Sequence, residues 1–219
     1  MCIRDRLGVS ILNRTTRRVE LTQEGRTFVD SVRKGLHIIH QAEEDLISGS
    51  ERPRGKLRVD AASPFVFHQL VPLIQSFKDT YPEIELEITS NEGFVDLLEQ
   101  RTDVAIRIGQ LKDSTLHARP LGKSDLFIVA SPQYLESAGA PRTTSELQSH
   151  QLIGFTSPKV LNQWPLKGVD VIEPDITSSN GETVRQLALA SNGIACLSGF
   201  MVREDIKQGR LVSLLDDAK

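Results

Sequence analysis

The chain has 219 residues, of which 39% are hydrophobic, enough to bury a core in one or two ordinary domains. It has no run of about 18 apolar residues, the length a membrane span needs, and its opening MCIRDR lacks the apolar stretch of a secretory signal, so a cytoplasmic chain with no membrane partner is expected. Net charge is −3 but uneven: residues 1–56 hold 11 Lys/Arg against 8 Asp/Glu and the remainder 15 against 21, which suggests a polyanion partner at one end only.

The first informative stretch is LNRTTRRVELTQEG, Leu12 to Gly25. It concentrates three arginines on a short turn, then ends a short strand and opens a helix. Thr22 is placed to cap that helix with its hydroxyl, and Glu24 lies in the first turn, where the helix dipole favours an anion. Gly25, Val29, Val32, Leu36, Ile39, Glu43 and Leu46 then recur at alternating spacings of 4 and 3. This is a two-in-seven seam, narrower than the stripe of a helix lying on a core. A helix over Thr22 to Ser48 is about 40 Å long at 1.5 Å per residue, and a rod with one thin apolar seam is expected to pair with a second copy of itself. SGSERPRG (Ser48 to Gly55) reads as a linker.

From Lys56 the period changes. KLRVDA is a strand with Leu57 and Val59 on one face. SPFVFHQLVPLIQSFKDTYP is helical, with Ser63 placed to cap, Pro64 at the first helical position and a break or restart at Pro72. IELEIT is a second strand, FVDLLEQR a helix and DVAIRIG a third strand; alternating strands and helices argue for a parallel sheet, with ligands beyond the carboxyl ends of its strands. A similar series follows DLFIVASP: the strand QLIGFT, the strand region VIEPDITSS, the helix GETVRQLALAS, the strand GIACLS and the helix FMVREDIKQG. At LVSLL another strand begins. Two α/β units in tandem leave a cleft between them.

LGVSILNRTTRRVELTQEG resembles the wing and linker-helix start of LysR-type transcriptional regulators. DVAIRIGQLKDSTLHARPLG resembles the end of the first subdomain of their effector-binding region, and SNGETVRQLALASNGIACLSGFMVREDIKQGRLV the second subdomain. The three stretches occur in the family's order, and the resemblance runs from Leu7 to Val212. It implies an α/β, two-lobed effector domain like the type-2 periplasmic binding proteins, preceded by a winged-helix remnant and a long linker helix. The implied domains are the wing over 1–21, the linker and dimerisation helix with its hinge over 22–55, and the effector domain over 56–219, with lobe I at about 56–125 and lobe II at about 126–219. The family's helix-turn-helix would occupy roughly fifty residues before Leu7, and a return strand and last helix would complete lobe I. The expectation is therefore a piece of a longer regulator, cut at both ends.

The resemblance implies a DNA contact at Asn13, Arg14, Thr15, Thr16, Arg17 and Arg18. Guanidinium groups suit phosphates or a narrow minor groove, while the neutral side chains hydrogen-bond the backbone. With no recognition helix in the sequence, this chain is expected to bind DNA weakly, non-specifically and with strong salt dependence, or not measurably. The implied dimer seam is Val29, Val32, Leu36, Ile39 and Leu46. Effector contacts are implied at Ser63 and Phe65, at Ser90 and Asn91, at Arg107, at Phe155 and Thr156, and at Ser178, Ser179 and Asn180. Small hydroxyl residues with one cation suit a small carboxylate or similar polar metabolite. Each has an ordinary alternative: Ser63 and Asn180 as helix caps, Arg107 as the partner of a surface carboxylate. Ser198 stands where many family members have proline.

No catalytic reading competes. His37, His40 and Glu44 share a helix face, yet no convergent further ligand is at hand; His68, His117 and His150 each stand alone; no nucleophile elbow, P-loop or dinucleotide fingerprint occurs. Cys2 and Cys196 have no metal or redox spacing, and Cys196 reads as a buried thiol. No cofactor and no metal are expected. The function expected is a DNA-binding regulator controlled by an effector between two lobes. The rival is a solute-binding protein of a transport system, which shares the two-lobed fold but has no use for an arginine wing or a seamed helix; an enzyme on the same architecture would need an acid/base pair in the cleft.

Overall fold

The computed structural model describes residues 8–14, 19–47, 53–91, 102–109, 117–168 and 171–218. These fall into two compact units, 1–55 with 81–85, and 56–80 with 86–219.

In the first unit β1 (Leu12–Arg14) and β2 (Val19–Leu21) form an antiparallel hairpin with Leu12 opposite Leu21. Helix α1 spans Gln23–Ile47. Thr22 caps it as expected: its Oγ1 accepts from the Gly25 amide at 2.9 Å and donates to the Ser10 carbonyl at 2.8 Å. Gly25 departs from the expected seam. It is buried, and a side chain there would collide with the Ile11 carbonyl, so this end of the heptad pattern serves hairpin packing. Further along α1, Val32, Leu36 and Ile39 are exposed, joined by Phe28 and Ile38. The Leu46 side chain lies outside the described residues, as do those of His37, His40 and Glu44.

The second unit holds two lobes. In the first, β3 (Gly55–Ala61) lies between β4 (Ile84–Ser90) and β5 (Val104–Ile106), and β3 and β5 run parallel. The segment following β3, here α2 (63–80), changes winding along its length: an α-turn at Ser63–Phe65, a π-turn at Val66–Leu70, a 3-10 turn at Val71–Leu73 and an α-helix at Ile74–Thr80. Pro72 explains the change. It has no N–H for the His68 carbonyl four residues back, and its ring would strike that oxygen in a regular helix. The side-chain amide of Gln69 donates to the His68 carbonyl instead, at 2.9 Å. The helix starts one residue earlier than expected: Ser63 is its first residue and Pro64 its second, so Ala62 takes the cap position and no side chain caps this helix. The helix expected at FVDLLEQR lies outside the described residues.

The second lobe is built on a five-stranded sheet of order β10-β6-β9-β7-β8. Its strands are β6 (Leu126–Ala130), β7 (Leu152–Phe155), β8 (Ile176–Ser178), β9 (Ile194–Ser198) and β10 (Val212–Leu214). Helix α3 (Pro132–Ala138) follows β6, α4 (Gly181–Leu189) follows β8, and α5 (Gly199–Lys207) follows β9. The expectation of a parallel sheet needs correction. β7 is parallel to β8 and β9, but β6 is antiparallel to β9 and β10 to β6. The carboxyl ends of β7, β8 and β9 therefore lie along one edge of the sheet, while β6 runs the other way.

Both faces of this sheet are covered, which is why its strands read as near-continuous apolar runs. Ile128, Tyr134, Leu152, Trp164, Ile194 and Cys196 pack on one side; Val129, Ile153, Val184, Ala195, Leu197 and Val202 pack on the other. Neighbours along one strand point to opposite faces, so Ile128 and Val129 enter different clusters. No helix among the described residues is long and apolar enough to cross a membrane.

Candidate effector cleft

In the first lobe the three strands end around a single carboxylate. Asp60, on β3, has no exposed surface. It accepts hydrogen bonds from Thr89 Oγ1 at 2.8 Å, from Asn91 Nδ2, and from Arg107 Nη1 at 2.5 Å. Burial pushes the Asp60 carboxyl up, but hydrogen bonds from Arg107, Thr89 and Asn91, with the guanidinium charge, outweigh it and hold the group below its ordinary 3.8. The partner of Arg107 is thus a buried carboxylate rather than a surface one. Its other terminal nitrogen, Nη2, is buried without a hydrogen-bond partner among the described residues. Ser90 is exposed at the end of β4.

In the second lobe the cleft side is formed by the ends of β7 and β8 and the start of α4. Asn180 caps α4: its side chain accepts from the Thr183 amide at 3.0 Å. Ser178 Oγ accepts from the Asn180 amide at 3.1 Å, and the Thr156 amide donates to the Ser178 carbonyl at 3.1 Å. Thr156 and Ser179 are exposed. Phe155 is held by Asn162, whose buried amide accepts from the Phe155 N–H and donates to its carbonyl, both at 2.8 Å. Ser198 occupies the cap position of α5 without a side-chain cap bond.

The lobes touch along this face. Asn180 Nδ2 donates to Ser63 Oγ at 3.3 Å, and the rings of Phe65 and Phe200 meet edge to face with centroids 5.9 Å apart. A side chain on Gly181 would lie 3.1 Å from Pro64 Cγ, so glycine lets the start of α4 approach α2. His68 Nε2 lies 2.8 Å from Glu182 Oε2, which corrects the expectation that His68 stands alone. Behind Glu182, Arg185 reaches its Oε1 at 2.7 Å and grips the fully buried Asp205 through Nε at 2.6 Å and Nη2 at 2.8 Å.

Of the ten expected effector residues, Ser63, Phe65, Phe155, Ser178 and Asn180 lie at or beside this inter-lobe face. Asn91 and Arg107 belong to the Asp60 cluster. Asp60, Thr89, His68 and Glu182 were not singled out from sequence. Asp60 carried one readable signal, a carboxylate within an otherwise apolar strand end, because an acid there needs a partner. Of the expected DNA contacts, Asn13 is exposed, Arg14 is described for its backbone only, and Thr15, Thr16, Arg17 and Arg18 lie outside the described residues. No group of acidic, His and Cys side chains among the described residues could hold a metal ion.

A two-lobed α/β domain with polar strand ends at the meeting of its lobes is the architecture of small-molecule-binding domains. Residues 50–219 match the family model for the LysR substrate binding domain. Over 217 residues the chain is 43% identical to the HTH-type transcriptional regulator CrgA of Neisseria meningitidis serogroup C, covering 97% of this chain and 73% of that one. The solved structure of CrgA from Neisseria meningitidis superposes with a TM-score of 0.74 at 42% identity, over 99% of this chain and 75% of that one. The CrgA regulatory domain alone gives 0.73 at 44% identity, over 76% and 84%. This chain belongs to the LysR-type transcriptional regulators, and its two-lobed fold is that of their effector-binding domain.

Proposed function

We propose that the chain carries the wing, linker and sensing parts of a cytoplasmic regulator whose effector, a small carboxylate or similar polar metabolite, binds between the lobes. The observation that carries this reading is the meeting of Ser63 and Asn180 from opposite lobes at 3.3 Å. A ligand replacing that hydrogen bond would touch both lobes at once. Its differential affinity for their arrangements shifts the population, and the linker helices pass the shift to paired DNA-binding heads.

In this reading Arg107 Nη2 supplies the charge-assisted contact, Phe65 and Phe155 the apolar walls, and Ser90, Asn91, Thr156, Ser178 and Ser179 the remaining hydrogen bonds. The effector domain occupies 56–219, the linker 22–55 and the wing 1–21. Asn13, Arg14, Thr15, Thr16, Arg17 and Arg18 contact the DNA backbone, and Val29, Val32, Leu36, Ile39 and Leu46 form the dimer seam. The relatives are transcriptional regulators, which leaves the solute-binding alternative without support.

A thermal-shift screen of small carboxylates tests the proposal. A ligand at 100 times its Kd stabilises by about 2.7 kcal/mol, and that stabilisation is expected to fall steeply in Arg107→Leu and in Asn180→Ala. Carboxylates that stabilise both variants as well as the parent chain would exclude the cleft as their site.

A further inference from the structure

A side-chain hydrogen bond also reaches from the first lobe to the second. It joins His68, on the π-turn of α2, to Glu182, in the first turn of α4. We propose that this pair is a latch holding the two lobes in the closed arrangement, aimed from behind by Arg185 and Asp205.

Glu182 is held before it reaches across. Its Oε1 accepts from Arg185 Nη1 at 2.7 Å and from Gln186 Nε2 at 2.9 Å, which directs Oε2 to His68. Arg185 is fixed in turn by its two-pronged grip on Asp205, and Arg210 Nη2 reaches the same carboxylate at 2.5 Å. A planar guanidinium clamped at both ends loses little further freedom when the latch closes, so closing costs less ordering entropy than joining two free side chains. The contact is also shielded, with side chains 22% and 17% exposed, so solvent screens it less than a contact on the open surface.

The other half of the latch is presented by Pro72. The regular helix that proline forbids would carry His68 elsewhere; the widened turn, with Gln69 filling the His68 carbonyl, sets the imidazole against α4. Beside the latch, Gly181 and the Phe65–Phe200 contact give the closed lobes a close apolar seat. The latch acts on the lobes themselves, so it stands independently of any effector.

Electron–electron resonance distances between spin labels at Gln75→Cys and Glu136→Cys, exposed positions on opposite lobes, test it in a Cys2→Ser background at pH 6 without ligand. Glu182→Gln and His68→Ala are each expected to raise the longer-distance population about fivefold, as loss of a shielded hydrogen bond to a carboxylate should. His68→Lys, which keeps a nitrogen donor opposite Glu182, is expected to retain the short distance. Circular dichroism identifies any variant that fails to fold, and Glu182→Gln then decides alone. A short distance unchanged in folded Glu182→Gln overturns the latch, and so does a His68→Lys chain that opens as far as His68→Ala.

Discussion

Arg107 Nη1 stands 2.5 Å from Oδ1 of Asp60, a carboxylate with no exposed surface, and this pair joins the ends of β3 and β5 across 47 residues of sequence. The Arg107 guanidinium thus has an internal counterion that orients it, while its Nη2 stays buried without a partner among the described residues. Asp60→Ala would strand a largely buried guanidinium and remove the acceptor shared by Thr89 and Asn91. Chemical denaturation is expected to show a loss of about 3 kcal/mol. A loss below about 0.5 kcal/mol would mean that Asp60 does not organise the strand ends.

Acid should unlock the same groups. Asp60 and Glu182 both sit below their ordinary values of 3.8 and 4.5. For Glu182, burial raises the pKa, and hydrogen bonds from Gln186, His68 and Arg185 with the Arg185 charge outweigh it. A carboxylate depressed in the folded state binds fewer protons there than in the unfolded chain. Its contribution is complete above the ordinary value and disappears as pH falls through the folded one. Stability is expected to decline with acid below about pH 4.5, and the decline should be shallower in Asp60→Asn, measured by denaturant titrations from pH 6 to pH 3.

Asn162 completes the end of β7 with a side chain in place of a neighbouring strand. Asn162→Ala leaves the Phe155 N–H and carbonyl without those partners. The expected cost is about 2 kcal/mol, with the added signature that amide exchange at Phe155 accelerates more than at Ile128 in the core. Uniform acceleration across β6 and β7 would argue against a local role.

The exposed seam of α1 predicts assembly. Val32, Leu36 and Ile39 are 41%, 53% and 57% exposed in the single chain, an apolar line that a second helix would cover. Leu36→Asp is expected to convert a dimer to monomers in sedimentation experiments at micromolar concentration. Equal sedimentation of the two chains would place self-association elsewhere.

What could be read from the sequence follows contact range. The Thr22 and Asn180 caps, the disturbance at Pro72 and the strand GIACLS depend on neighbours within a few residues, so polar side-chain placement, a missing N–H and side-chain period suffice to find them. The cap at Ser63 was not legible because proline fits anywhere in a helix's first turn, so Pro64 does not fix which residue precedes the helix. Strand direction was not legible, since apolar runs buried on both faces look the same in parallel and antiparallel sheets.

By itself the sequence determined the elements, their order, the basic hairpin joined to a seamed rod, and the family these define, because each is written in local spacing and residue type. Only the tertiary structure decided that Arg107 answers to Asp60, and that His68 finds Glu182 across 114 residues. A charge in the chain does not name its counterion. Folding does, by burying groups together until each must be hydrogen-bonded or ion-paired to stay charged.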